Sequence, residues 1–205
     1  MYPVGLKIHK NLFTEKELEN IETIINYNYN WEFEGKKKHH HYPEYVFKNN
    51  IKNIISGDCQ RKIKTKDICD KCNCHMTINL KNNLPIPLWI NNLIITKLID
   101  NNIIKNNWCN CITIIMYKET VLNPHFDSPH IFELPIITLR LFNNSIISFD
   151  SKNEFGIDDI IQQRGDLTIM DGECITKYDH SIKKLNDNKT VSLVIRKIHP
   201  ELINI

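Results

Sequence analysis

Two histidines and one aspartate are the residues of this chain best suited to bind a metal ion. His125 and Asp127 are separated by a single residue, and His180 lies 53 residues beyond Asp127. Because side chains alternate between the two faces of an extended strand, His125 and Asp127 project to the same side. One imidazole and one carboxylate can then bind one cation, and a second imidazole completes a set of three ligands. We therefore predict a metal site at His125, Asp127 and His180, which are also the candidate catalytic residues.

This ligand set favours one kind of metal chemistry. Two histidines and a carboxylate on one face of a metal ion leave three adjacent positions open, as in the non-haem Fe(II) oxygenases. Such a site needs a basic residue to hold an acidic cosubstrate. Arg196 follows His180 by 16 residues in the last apolar run, and a guanidinium can bind a carboxylate through two parallel hydrogen bonds.

Two helices are predicted before the metal ligands. Thr14 and Glu17 form a capping-box pattern, and an apolar stripe follows at helical spacing. The stripe consists of Leu18, Ile21 and Ile25. A second helix is predicted from about Leu88 to Ile99, after two prolines that favour a helix start.

Short strands are predicted from Cys109 onward. The segments are rich in Ile, Thr, Val and Phe and are separated by turn residues. They are Cys111–Tyr117, Pro135–Phe142, Ile146–Phe149, Asp166–Met170 and Thr190–Lys197. The pattern predicts a mostly β fold with flanking α-helices, a double-stranded β-helix (jelly roll). We expect a single domain over 1–205, with a helical part at 5–34, a basic, cysteine-containing substrate-lid or insertion loop at 35–83, and a helix plus jelly-roll core at 84–205.

The composition excludes several classes of protein. The chain has 205 residues, of which 41% are hydrophobic and 24% charged, so disorder is not expected. No apolar run reaches the length of a membrane span, and the N-terminus lacks a signal-peptide pattern. We expect an intracellular monomer, in the cytoplasm or nucleus, with no membrane partner. The absence of alanine, with 26 Asn and 35 Ile, indicates AT-rich coding, as in some protists and large viruses.

The net charge of +2 conceals an uneven distribution. Residues 36–66 contain nine basic and two acidic side chains, a net +7, so the remainder of the chain carries −5. Aromatic residues are interleaved with these charges, at Tyr42, Tyr45 and Phe47. Basic charge with aromatic side chains is typical of nucleic-acid binding, through phosphate attraction and base stacking. A solvated lysine-rich loop is the alternative.

A second metal site is a further candidate. Closely spaced thiolates suit tetrahedral Zn²⁺, which would order a loop that lacks an apolar core of its own. The candidate ligands are Cys59, Cys69, Cys72 and Cys74, with His75 beside them. Reduced free thiols are the alternative interpretation.

The segment from His125 to Phe142, HFDSPHIFELPIITLRLF, resembles the AlkB-type Fe(II)/2-oxoglutarate dioxygenases, in particular the branch of the N6-methyladenosine RNA demethylases. The resemblance continues in Arg164–Gly172, His180 and Val191–Lys197, and in Leu84–Trp89 with its helix. It extends over about 84–200 and more weakly over 5–27.

The resemblance implies roles for individual residues. His125, Asp127 and His180 match the iron ligands. Tyr117 matches a tyrosine that hydrogen-bonds 2-oxoglutarate, Arg196 matches the second of two strand arginines that hold it, and Lys38 loosely matches a lysine near the cosubstrate and the methylated base.

The activity that the resemblance implies is oxidative N-demethylation of nucleic acid. It requires Fe(II) and 2-oxoglutarate and releases formaldehyde, succinate and CO₂. The first candidate substrate is N6-methyladenosine in single-stranded RNA, with DNA as the alternative nucleic acid.

Two departures from the family pattern leave other functions open. Ile115 stands where the family has an asparagine, and Thr190 where it has the first strand arginine. Arg140 could compensate if it points inward. An unpaired buried arginine is costly, so Arg140 either faces water or has an anionic partner. A catalytically impaired protein that binds methylated or single-stranded RNA therefore remains an alternative, as does a protein hydroxylase on the same fold.

Overall fold

A computed structural model of the chain describes residues 2–49, 76–82, 84–118, 121–125, 127, 129, 131–150, 159–185 and 189–200, with side chains except at 45–49, 76–82, 121 and 184. The helices are α1 (Glu15–Asn28), α2 (Leu88–Ile90), a π-helical segment (Asn91–Ile95), α3 (Thr96–Asp100) and α4 (Glu173–Thr176). The strands are β1 (Leu6–His9), β2 (Lys37–Tyr42), β3 (Glu44–Asn49), β4 (Met76–Asn82), β5 (Cys111–Tyr117), β6 (Val121–His125), β7 (Phe132–Leu141), β8 (Ser145–Asp150), β9 (Ile160–Gln162), β10 (Leu167–Met170), β11 (Asp179–Lys184) and β12 (Thr190–Ile198).

Two antiparallel sheets form the body of the protein. The larger has six strands in the order β1-β10-β7-β12-β5-β2, and the smaller has four in the order β6-β11-β8-β9. Strands β3 and β4 pair with each other as a separate two-stranded antiparallel sheet. The arrangement is a double-stranded β-helix with helices outside it, so the predicted fold class is confirmed.

Both faces of the larger sheet carry buried side chains. On β5, Ile112, Ile114 and Met116 pack with the helices. The alternate residues Ile115 and Tyr117 belong to the apolar cluster between the two sheets. All seven residues of β5 are buried, which is why this strand appears in the sequence as a continuous apolar run rather than an alternating one. The interior cluster forms the walls of the candidate site.

Helix α1 begins where the capping box predicts. The Glu17 backbone N–H donates to Thr14 Oγ1 at 3.3 Å, and the Thr14 backbone N–H donates to Glu17 Oε2 at 2.7 Å. An ion-pair cluster then attaches the helix to the turn between β9 and β10. The Arg164 guanidinium donates to Glu15 at 2.6 Å and to Glu22 at 2.7 Å.

The predicted helix from Leu88 to Ile99 is present and extends to Asp100. Its centre is a π-helical segment in which the Thr96 hydroxyl donates to the Asn91 carbonyl at 3.0 Å. Ile94 and Leu98 are completely buried on the stripe expected for them. No helix in the described part of the chain combines the length and the apolar character needed to cross a membrane.

The sequence predicts a substrate-lid or insertion loop over 35–83, and a loop is wrong for the described residues of that segment. They contain β2, β3 and β4. Strand β2 reads KKHHHY, without apolar alternation, because it is the edge strand of the larger sheet. An edge strand whose side chains are only partly covered leaves little hydrophobic pattern to detect.

Candidate active site

The two histidines of the predicted metal site are brought together by strand pairing. His125 ends β6 and lies directly opposite His180 of β11, with ring centres 4.3 Å apart. Asp127 follows two residues after His125. One ligand atom from each of the three residues lies within 4.8 Å of the others. The structure therefore assembles the three residues that the sequence singled out.

Local contacts orient the ligand atoms. His125 Nδ1 lies 2.9 Å from the Asn123 carbonyl, so the Nδ1–H donates to it and leaves Nε2 for a metal. His180 is 4% exposed and packs near the Phe149 ring. An imidazole held in this way loses little freedom when it binds a cation.

Arg196 contacts the carboxylate of the triad. Its Nη1 donates to Asp127 Oδ1 at 2.6 Å, while Asp127 Oδ2 lies 3.8 Å from His180 Nε2. Its Nη2 donates to Thr113 Oγ1, and its guanidinium lies over the Phe132 ring at 4.3 Å. Burial raises the pKa of Asp127, but the charge of Arg196 and the neighbouring imidazoles outweigh burial, so the pKa lies below its usual value. The Asp127 carboxylate is thus ionised. Arg196 holds its Oδ1, and its Oδ2 is on the side of His180.

This donor set fits Fe(II). Two imidazole nitrogens and one carboxylate oxygen suit a divalent first-row metal, and ligands from one wall of a cavity leave the remaining positions open. The predicted Fe(II) site agrees with the donor types and with their separation.

A cavity extends from the triad into the space between the sheets. Its middle is apolar, lined by Ile115, Leu122, Ile147, Ile182 and Val194. At the inner end the lining becomes polar again, with Tyr117, Ser192 and Gln162. The Tyr117 hydroxyl lies 3.0 Å from Ser192 Oγ. Burial raises the pKa of Tyr117, so its hydroxyl keeps its proton and can donate to a ligand in the cavity.

Arg140 lies at this inner end and points inward. It is completely buried, and β7 places it opposite Ser192 of β12. Its guanidinium carbon is 5.9 Å from the centre of the Tyr117 ring, and Nη2 donates to Gln162 Oε1 at 2.9 Å. Thr190, which pairs with Tyr117, is uncharged. The condition that the sequence analysis attached to Arg140, an inward orientation, is therefore met.

Lys38 is not brought to the site. In the β2–β5 register it pairs with Met116, whose side chain packs with the helices, and its neighbour His40 contacts Tyr29 of α1. Strand alternation puts Lys37 on the cavity side instead, opposite Tyr117. The loose alignment of this segment placed the lysine one residue away from the position that faces the cavity.

The candidate zinc ligands Cys59, Cys69, Cys72 and Cys74 lie outside the described residues.

Two imidazoles on β2 lie on the side of the larger sheet that faces the triad. His41 Nδ1 lies 3.0 Å from Thr113 Oγ1, and the His39 ring is 5.5 Å from that of His41. Burial and nearby cations, including Arg196, lower the pKa of both histidines to about 4. Both rings are neutral near pH 7. The sequence analysis did not select them, and the signal available was the alternation of Lys37, His39 and His41 along β2, which has meaning only once the register is known.

Comparison with known proteins identifies relatives of part of the chain. No protein-family model matches the sequence. The RNA demethylase ALKBH5 of Xenopus tropicalis is 29% identical over 125 residues, which cover 57% of this chain and 35% of that protein. The RNA demethylase ALKBH5 of Bos taurus is 26% identical over 118 residues, which cover 54% and 30%. The matched region is about a third of the length of these curated relatives.

Two solved structures share the fold across nearly the whole chain. OsALKBH1 superposes with a TM-score of 0.52 at 11% identity, covering 96% of this chain and 99% of that one. An oxidoreductase of the 2OG-Fe(II) oxygenase family from Burkholderia pseudomallei gives 0.52 at 12%, covering 94% and 84%. At such low identity these two structures support the fold alone. The sequence similarity to the ALKBH5 proteins supports the resemblance of this chain to the AlkB-type Fe(II)/2-oxoglutarate oxygenases.

Proposed function

We propose that the chain is an Fe(II)- and 2-oxoglutarate-dependent oxidative N-demethylase of nucleic acid, acting first of all on N6-methyladenosine in single-stranded RNA. The observation that carries the proposal is the cluster of His125, Asp127 and His180 at one end of the cavity between the sheets. The similarity to RNA demethylases over more than half of the chain supports the same activity.

The site residues divide the work of such a reaction. Bound Fe(II) would supply the oxidative chemistry, in which one oxygen atom of O₂ enters a methyl C–H bond and the other enters succinate as 2-oxoglutarate loses CO₂. His125, Asp127 and His180 would hold the metal, and Arg196 fixes the orientation of the Asp127 carboxylate. The apolar side chains in the middle of the cavity exclude water from the reacting atoms. The hydroxymethyl product then loses formaldehyde and leaves an unmethylated amine.

The surroundings of the site support a nucleobase as substrate. Neutral imidazoles such as His39 and His41 offer flat faces against which a base can stack. Lys37 contributes positive charge on the same side of β2. A base reaches such a site only when it is unpaired or flipped, so single strands should be better substrates than duplexes.

The test is mass spectrometry of a single-stranded RNA oligonucleotide containing N6-methyladenosine. Incubation with the protein, Fe(II) and 2-oxoglutarate should remove the mass of the methyl group, and the same strand in a duplex should react more slowly. His125→Ala should abolish the loss because it removes a metal ligand. His9→Ala, which removes an exposed histidine on β1, is the matched control and should react as the wild type does. Equal activity in His125→Ala and wild type would contradict the proposal.

A catalytically impaired RNA-binding protein is the second candidate. Ile115 and Thr190 favour it, because the Ile115 side chain cannot hydrogen-bond the cosubstrate and Thr190 has no charge with which to hold it. Under this alternative the protein would bind the methylated oligonucleotide but would not bind 2-oxoglutarate when loaded with Mn²⁺. Calorimetry with both ligands separates the two functions.

A further inference from the structure

Arg140 is a buried cation with no anionic partner among the residues that the structure describes. Its side chain is completely inaccessible to solvent. Nη2 donates to Gln162 Oε1, Nη1 lies 3.5 Å from the Val191 carbonyl oxygen, and Nε has no hydrogen-bond partner in the described part. A buried charge without a counter-charge is costly, and such charges in proteins are usually paired.

Gln162 holds the guanidinium without neutralising it. Its Oε1 accepts from Arg140 at 2.9 Å and from the Ser145 hydroxyl at 3.2 Å, and its Nε2 donates to Thr168 Oγ1 at 2.7 Å. Since a guanidinium only donates hydrogen bonds, the amide oxygen must face it. The glutamine thus fixes the position of Arg140 and leaves its positive charge available.

The charge lies at the opposite end of the cavity from the metal ligands. Tyr117, Ser192 and Gln162 form the inner lining, and Arg140 lies directly behind them. Along β12, Ser192 and Arg196 are four positions apart, and both line the cavity. The wall between these two ends is mostly apolar, with Thr138 as a polar member. This arrangement suits an anion with an acidic group at each end, one for the metal ligands and one for Arg140.

We infer that Arg140, positioned by Gln162, holds the remote carboxylate of 2-oxoglutarate. The inference rests on the proposed function, since it takes this 2-oxo acid as the ligand bound at the triad. The required cation comes from β7 and its partner from β9, whereas Thr190 at the start of β12 supplies no charge. Arg196 does not take this role because its guanidinium already contacts Asp127 and Thr113.

Calorimetry on the Mn²⁺-loaded protein tests the inference without turnover. Two ligands are compared: 2-oxoglutarate, and 2-oxopentanoate, which has the same chain length but no remote carboxylate. The wild type should prefer 2-oxoglutarate about 10- to 100-fold, the range expected for charge-assisted hydrogen bonds. In Arg140→Met the preference should fall to within about threefold of unity, while the affinity for 2-oxopentanoate stays at the wild-type value.

Gln162→Glu is a second variant that keeps the arginine. It places a carboxylate beside Arg140, so the ligand-free protein should unfold at the same or a higher temperature, and the preference for 2-oxoglutarate should disappear. Lys189→Met is the charge-loss control. Lys189 is the neighbour of Thr190 in the chain, but its ammonium donates to Asn26 and lies over Trp31, outside the cavity. This control should keep the preference.

The outcomes are distinct. A preference that persists in either folded variant would overturn the inference and leave Arg140 with a structural role only. If Arg140→Met does not fold, Gln162→Glu decides the question. If neither 2-oxo acid binds the Mn²⁺-loaded wild type, the proposed function itself fails, and this inference fails with it.

Discussion

Arg196 holds one oxygen of the proposed metal ligand Asp127 and also contacts Thr113 on the neighbouring strand. A guanidinium in this position keeps the carboxylate ionised and in a single orientation before the metal binds. Residues that orient metal ligands in this way contribute to metal affinity although they do not touch the metal. We therefore infer that Arg196 is a positioning residue for the proposed metal site.

We predict that Arg196→Met weakens Mn²⁺ binding about 10- to 100-fold, the usual effect of removing such a contact. The free Mn²⁺ signal in electron paramagnetic resonance gives the affinity directly. Lys197→Met is the matched control, since Lys197 pairs with Glu133 at 2.9 Å rather than with a member of the triad. Wild-type Mn²⁺ affinity in Arg196→Met would show that Asp127 needs no such support.

The triad could be predicted from the sequence because its signal is local. His125 and Asp127 are separated by one residue, and His180 was found through its resemblance to a known pattern. The contact between Arg196 and Asp127 could not be predicted in this way. It depends on the register of β12 and on the length of the segment after β6, neither of which is encoded in a short motif. Gln162 gave no signal at all, because a single glutamine in a short strand resembles any other polar residue.

At the level of elements, α1 contacts the second helical segment through the side chain of Glu17. Glu17 belongs to the capping box of α1 and also accepts a hydrogen bond from Lys97 of α3 at 2.5 Å. The hydrogen bond from Lys97 and that from the Thr14 backbone lower the pKa of Glu17 from 4.5 to about 2. One carboxylate thus stabilises both the start of α1 and its contact with α3.

This pKa shift predicts how acid affects stability. Because the pKa of Glu17 is lower in the folded protein, its contribution is complete above pH 4.5 and is lost as the pH falls toward about 2. The pair is partly exposed to solvent, so the contribution should be about 1 kcal/mol or less. Urea unfolding between pH 7 and pH 3 should give a shallower loss of stability in Glu17→Gln than in the wild type. Glu19→Gln, which removes an exposed carboxylate from the same helix, should retain the wild-type slope.

The elements differ in how well the sequence predicts them. α1 and β5 were predicted within a residue or so, because a capping box and a continuous apolar run are strong local signals. The second helix was predicted as a regular helix, and its π-helical centre had no sequence signature. Strand β2 was missed because its pairing with β5, rather than its own side chains, makes it a strand.

At the level of the whole molecule, the structure describes only part of the basic segment 36–66. The net +7 of residues 36–66 falls largely outside the described residues, but β2 contributes Lys37 and Lys38 to it. The edge position of β2 gives these two neighbouring lysines different environments: one on the cavity side of the larger sheet and one on the helix side. We therefore expect the location of a charge relative to the sheet to matter more for substrate binding than the total charge of the segment.

This difference predicts unequal effects of the two lysines on RNA binding. Lys37→Met should weaken binding of a methylated single-stranded oligonucleotide and reduce the slope of log affinity against log salt concentration by about one, as expected for one lost phosphate contact. Lys38→Met removes the same charge from the adjacent residue and should change the slope little, because its side of β2 faces the helices. Fluorescence anisotropy at several salt concentrations measures both. Equal losses in the two variants would mean that the oligonucleotide responds to the overall charge of β2 rather than to the side of the larger sheet that faces the cavity.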